Sequence, residues 1–161
     1  MNIKRIVEME VNKDQLMVGD KIQIGKDIWK VLDIKDGKAL IWKTNNIRDF
    51  VFNENGSNRY EGSDIQKYLK HEFPYTVPKT LLEDVTEEGF FLLTLDQVKK
   101  YMPKEIDRIG TNEYDQTTWW WTSTPYVGVG NYVRYVIPAG SVVSYSAYYS
   151  YGVAPACWIH L

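Results

Sequence analysis

Trp119-Trp120-Trp121-Thr122-Ser123-Thr124-Pro125, then Tyr132-Val133-Arg134-Tyr135-Val136-Ile137, Ser141-Val142-Val143 and Val153 to Leu161, form a succession of β-forming runs. Pro125, Gly128, Gly130, Pro138-Ala139-Gly140 and Gly152 separate them, as turn formers do. If the tryptophan run is a strand, Trp119 and Trp121 face one way and Trp120 the other, so at least one face must be covered. Charge sets this region apart as well. The last 46 residues, Gln116 to Leu161, carry one formal charge, Arg134, yet hold four of the six tryptophans and seven of the twelve tyrosines. A segment of that size without a charged surface makes a poor independent folder. It is therefore expected to complete the sheet of one domain spanning residues 1–161.

The rest of the chain supplies helices as well as strands. Lys21 to Trp42 reads as a hairpin, with Asp36-Gly37 as a two-residue turn before Ala39-Leu40-Ile41-Trp42. Asn45 to Tyr60 contains Asn53-Glu54-Asn55-Gly56-Ser57-Asn58, which is loop chemistry. Ser63 precedes Asp64-Ile65-Gln66-Lys67-Tyr68-Leu69 and stands at capping-box spacing from Gln66, so a helix starts there and Pro74 ends it. Ile65, Tyr68, Leu69 and Phe73 share one face of that helix. Phe90 to Leu93 is a short strand, and Thr94 caps a second helix, Leu95 to Tyr101, ended by Pro103. Residues 1–18 read as a lead-in. Two helices among several strands predict an α+β domain.

Composition removes several classes of function. A 161-residue chain with 44% hydrophobic residues, 25% charged residues and a formal net charge of -2 is globular and carries no basic surplus for nucleic acid. Charges throughout Met1 to Asp20 break any apolar run, so no export signal or membrane insertion is expected, which suggests the cytoplasm or a phage virion. The single cysteine, Cys157, excludes a disulfide framework within the chain and a thiolate-rich zinc site. It reads as a buried, inert thiol in the last strand. His71 near a helix C-terminus and the penultimate His160 have no nucleophile in a triad-like setting. Asn53-Glu54-Asn55 reads as a polar loop and Gly128-Val129-Gly130 as a turn without a phosphate-binding context. Glu83, Asp84, Glu87 and Glu88 decorate a solvated segment. No metal or other cofactor and no catalytic residue is expected.

What remains is the Tyr/Ser/Gly/Asn-rich tail. Tyrosine offers rigid amphipathic surface at low entropic cost, and Ser, Gly and Asn offer adaptable hydrogen bonding, the composition of antibody paratopes. Tyrosines packed into a sheet would explain the same composition. Ser144-Tyr145-Ser146-Ala147-Tyr148-Tyr149-Ser150-Tyr151 shows no clean apolar alternation, however, so some of its tyrosines point outward.

Several ordered motifs resemble those of a known family. The ending Gly152-Val153-Ala154-Pro155-Ala156-Cys157-Trp158-Ile159-His160-Leu161 resembles the "GVRPALWLNL" terminus of a large bacterial and phage domain family of unassigned activity with a C-type-lectin-like fold. Trp29-Lys30-Val31-Leu32-Asp33, Gly37-Lys38-Ala39-Leu40, the Ser63–Leu69 helix, Phe91-Leu92-Leu93-Thr94 and Val98-Lys99-Lys100-Tyr101 follow in the same order, and Trp120-Trp121-Thr122-Ser123-Thr124-Pro125 resembles "WWLRSP". Two positions depart from the pattern: Ala154 stands where that family has arginine, and Thr122 where it has leucine. The resemblance implies a C-type-lectin-like fold with two helices, a small antiparallel sheet and a long displayed C-terminal loop and strand region over 116–161. It is also similar to the variable proteins of diversity-generating retroelements, which implies a diversified ligand-binding face at Tyr126, Gly128, Asn131, Tyr132, Arg134, Ser144, Tyr145, Ser146, Tyr148, Tyr149 and Ser150.

The expected function is therefore non-enzymatic binding of a protein or glycan ligand. A related lectin-like fold hosts formylglycine-generating oxidases, which need a pair of active-site cysteines that this chain lacks. The alternative is a structural or assembly domain of a phage or surface protein, with the aromatic tail buried in an oligomer interface.

Overall fold

A computed structural model describes residues 3–5, 9–10 and 12–161. In its N-terminal half the strands are β1 (Lys4–Arg5), β2 (Met9–Glu10), β3 (Lys21–Ile24), β4 (Asp27–Lys35), β5 (Lys38–Lys43) and β6 (Arg48–Val51). Further along lie β7 (Phe91–Leu92), β8 (Gly110–Thr111), β9 (Thr117–Thr118), β10 (Trp120–Pro125), β11 (Tyr132–Val136), β12 (Val142–Ser146), β13 (Ser150–Val153) and β14 (Pro155–His160). The α-helices among the described residues are short: α1 (Asp64–His71), α2 (Lys79–Asp84) and α3 (Leu95–Tyr101).

Most of these strands belong to two sheets. One has seven strands in the order β2-β1-β3-β4-β5-β14-β7, the other five in the order β12-β11-β10-β13-β6, and β8 pairs with β9 alone. The expected Lys21–Trp42 hairpin is the β3–β4–β5 meander at the centre of the larger sheet. Asp36 and Gly37 both take positive φ, 54° and 72°, which suits a tight turn whose twist matches the strands it joins. Every named strand pairing is antiparallel except that of β10 with β13.

The central strands of both large sheets are covered on both faces. Along β5, Ile41 joins one apolar cluster while Leu40 and Trp42 join another. In β14, Cys157 and Ile159 belong to the first and Ala156 to the second. The tryptophan run obeys the same alternation: Trp121 enters the first cluster and Trp120 the second, and neither is exposed to solvent. Period-two side-chain alternation thus feeds two cores from one strand. Burying both faces explains why runs such as Ala39-Leu40-Ile41-Trp42 are continuously apolar.

The helices obey their local signals. Ser63 Oγ accepts a hydrogen bond from the Gln66 amide at 3.2 Å, while the Gln66 side chain accepts from Gly62 N–H at 2.8 Å. Thr94 and Gln97 form a complete capping box on α3. In α1, Ile65 and Leu69 are buried, and Tyr68 stacks on Phe50 of β6 at 4.7 Å. Helix α1 ends at His71, and Pro74 lies in the 3-10 turn Phe73–Thr76 that follows.

The α+β, C-type-lectin-like expectation is corrected at this point. Two helices beside a small sheet do not form; strands dominate, in sheets of seven and five, with three short helices among the described residues. The C-terminal region, expected as a long displayed loop and strand region, is largely strand built into the two sheets. Strands β10, β11, β12 and β13 make up four-fifths of the smaller sheet, and β14 sits inside the larger one between β5 and β7. The physical reason is long-range pairing. Strand β6, just before the Asn53–Asn58 loop and not expected as a strand, pairs with β13 about a hundred residues later, in register from Arg48↔Val153 to Val51↔Ser150. The expected lead-in over 1–18 lies partly outside the described residues; its described part includes β1, which pairs with β3. No helix among the described residues is long and apolar enough to cross a membrane.

Candidate functional site

The tyrosine-rich segment is held by β11 and β12. Their register places Tyr132 opposite Ser146, Val133 opposite Tyr145 and Arg134 opposite Ser144. Val133 and Tyr135 are buried and anchor β11 in the first core, so the ring cluster rests on a packed base. Tyr145 stacks on Tyr132 at 5.8 Å and meets Tyr149 edge-on at 4.6 Å. Tyr145 is 37% exposed, Tyr149 51% and Tyr148 67%, so this cluster opens to solvent. The Tyr149 hydroxyl, foremost as a hydrogen-bond partner, holds the Tyr145 phenol above its usual pKa.

A second aromatic group continues inward. Tyr151 stacks on Tyr135 at 4.4 Å, meets Trp121 edge-on at 5.0 Å and lies beside the half-exposed Trp119 at 6.3 Å. Burial, reinforced by a hydrogen bond with Tyr135, pushes its phenol up to about 12. Offset and edge-on aromatic pairs of this kind add about 0.5–1.5 kcal/mol each beyond area burial.

Arg134, the only formal charge of the segment, places its guanidinium 4.8 Å from the Tyr126 ring centroid. Thr122 supports that arrangement. Its hydroxyl donates to the Arg134 carbonyl at 2.9 Å and accepts from Thr124 N–H at 3.2 Å, across the register shift between Trp121 and Pro125. The threonine that departs from the family-like pattern therefore bonds at a bulge. Ala154, the other departure, is fully buried in the second core, where an arginine would have no room without rearrangement.

The expected site residues do not all behave alike. Tyr132, Tyr145 and Tyr149 are joined by ring contacts, and Arg134 and Tyr126 form a separate cation–π pair. Tyr148, Ser150 and Asn131 are exposed beside them, and the Asn131 carbonyl accepts from Ala147 N–H at 2.7 Å. Gly128 sits at φ +119°, a backbone conformation reserved for glycine, in the turn between β10 and β11. Ser146 Oγ accepts from Tyr148 N–H at 3.3 Å, and the buried Ser144 Oγ has no hydrogen-bond partner among the described residues. Ser144 and Ser146 are partly buried, whereas Gly128 is exposed in its turn.

Cys157 is fully buried, and desolvation raises its thiol pKa. His160 is exposed, and its carbonyl accepts from Lys13 Nζ at 3.4 Å. Among the described residues no group of three or more His, Cys, Asp or Glu side chains is placed to share a metal ion.

Sequence reasoning passed over a second locus, at the end of β5. Lys43 is only 7% exposed and pairs with the 1% exposed Asp27 at 3.7 Å. Desolvation, opposed by Asp27, lowers its pKa from the usual lysine value. Nothing local in Ile41-Trp42-Lys43-Thr44 marks that lysine as buried; the one available signal was its place at the end of an apolar strand.

Residues 82–161, just under half of the chain, are similar to a family described as "Domain of unknown function (DUF6273)". That stretch includes every expected ligand-face residue and leaves Lys43 and Asp27 outside. No curated protein and no solved structure gives a match.

Proposed function

We propose that the protein is a non-enzymatic binding module that captures a protein or glycan ligand on the Tyr132–Tyr145–Tyr149 face. The carrying observation is the open cluster of Tyr132, Tyr145 and Tyr149 in a segment with one formal charge, on a β11 strand anchored by buried Val133 and Tyr135. Exposed aromatic clusters rimmed by polar groups suit ligand capture, and rings already held in place lose little entropy on binding. In this reading the ligand-contacting set is Tyr126, Asn131, Tyr132, Arg134, Tyr145, Tyr148, Tyr149 and Ser150. If the face is diversified as in retroelement variable proteins, natural variants concentrate at those positions and spare Gly128. Deep sequencing of the gene's 3′ end across a natural population tests that; an invariant 3′ end sinks it.

Binding is tested with Tyr145→Ala/Tyr148→Ala/Tyr149→Ala on glycan and peptide arrays. Wild-type signals should disappear while the melting temperature falls by less than about 5 °C, since these rings are exposed. Unchanged array signals overturn the reading.

A second reading, assembly, is favoured by the edge of the smaller sheet. Ala147 N–H bonds to Asn131 and Ile137 N–H to Ser141, so the alternate residues Val142 and Ser144 turn their backbone groups away from β11. Among the described residues no strand pairs with that side of β12, and the strand carries no lysine or proline to protect it. Ser144→Pro removes only an outward N–H. Under assembly, light scattering shows a wild-type oligomer that this substitution dissociates; a monomeric wild type rejects it.

A further inference from the structure

The Lys43 locus goes beyond the tyrosine face. Lys43 Nζ donates to the Asn46 carbonyl at 3.1 Å, lies 3.7 Å from Asp27 Oδ1 and sits 5.6 Å from the Phe73 ring centroid. An ammonium has three donors. One is spent on Asn46, and the Asp27 distance is that of an ion pair longer than a hydrogen bond. Asp27 is itself engaged, accepting from Asn46 Nδ2 at 3.1 Å. Lys43 is therefore more than nine-tenths buried with donor capacity left over, and it lines an open pocket of about 560 Å³.

The lining carries three cations, Lys26, Lys43 and Arg48, against two carboxylates, Asp27 and Glu113. One positive charge is in excess. A dianion would meet Asp27 and Glu113 at close range, whereas one negative charge balances the site. Tyr68 and Phe73 furnish apolar wall, and the volume lies in the range of small-molecule sites. We propose that this pocket binds a small monocarboxylate with a flat apolar body, its carboxylate accepting from Lys43 Nζ and its body lying against Phe73 and Tyr68. Arg48, whose side chain is 70% exposed and 3.9 Å from Glu113, adds attraction at the pocket rim.

Calorimetric titration with benzoate, benzamide and inorganic phosphate tests this on the full chain. Benzoate should bind at least about tenfold more tightly than either comparison probe, the worth of one charge-assisted contact. Lys43→Met should abolish benzoate binding. Because that variant leaves Asp27 buried without its counter-charge and can fail to fold, Arg48→Gln serves as the second variant, with an expected weakening of about threefold. Absence of benzoate binding to the wild type, equal binding of benzamide, tighter binding of phosphate, or unchanged benzoate affinity in Arg48→Gln or in folded Lys43→Met each overturns the proposal.

Discussion

Replacing Thr122 by valine isolates the hydroxyl that braces the ligand face. Valine keeps the branched shape, so packing in this fully buried position is preserved. Two hydrogen bonds vanish, one to the Arg134 carbonyl and one from Thr124 N–H. A net hydrogen bond is worth about 1 kcal/mol, and a backbone N–H left without a partner adds its desolvation cost, giving about 2–3 kcal/mol in all. At about 2–4 °C per kcal/mol for a chain of this length, the melting temperature should fall by roughly 5–10 °C. Thermal and urea unfolding followed by circular dichroism measure it, with Thr122→Ser as the control that retains the hydroxyl. Serine should lose about 1 kcal/mol, for one missing methyl. A valine variant as stable as the wild type, or a serine variant less stable than the valine one, refutes the bracing role.

Two further outcomes follow from the fold. A Cβ at Gly152 would strike the backbone carbonyl of Trp119 and the Ile47 side chain, so Gly152→Ala should cost about 3 kcal/mol or more, whereas Gly130→Ala, with open space around it, should change urea unfolding little. Tyr60 and Tyr151 have phenol pKa values raised to about 12, in both cases mainly by burial. The native state thus holds these protons more tightly than the unfolded chain, so their contribution is complete below about pH 10 and is lost as pH rises toward 12. Absorbance titration at alkaline pH should show late-ionising tyrosines together with a fall in stability across that window; stability unchanged between pH 10 and 12 contradicts it.

Local signals were legible because their physics is local. Ser63 and Thr94 cap helices through bonds that span three residues, and Asp36-Gly37 turns the chain within two. Helix α2 carried no such mark: its N-cap is Pro78, which makes no side-chain cap. Strand β6 was hidden for a different reason. Arg48-Asp49-Phe50-Val51 is a weak β pattern by itself, and it becomes a strand by pairing with Ser150–Val153.

The sequence by itself determined that this chain ends in a charge-poor, aromatic, strand-rich segment, that some of its tyrosines reach solvent, and that Trp120 and Trp121 point to opposite sides. Composition and period-two alternation are properties of neighbouring residues and need no partner strand to be read. Only the tertiary structure decided that the helices are minor, that β14 enters the larger sheet while β10 to β13 build the smaller, that Ser144 is covered while Tyr148 is open, and that Lys43 is buried beside Asp27. Those outcomes depend on contacts between residues far apart in the chain, whose pairing is chosen by the burial of two cores at once.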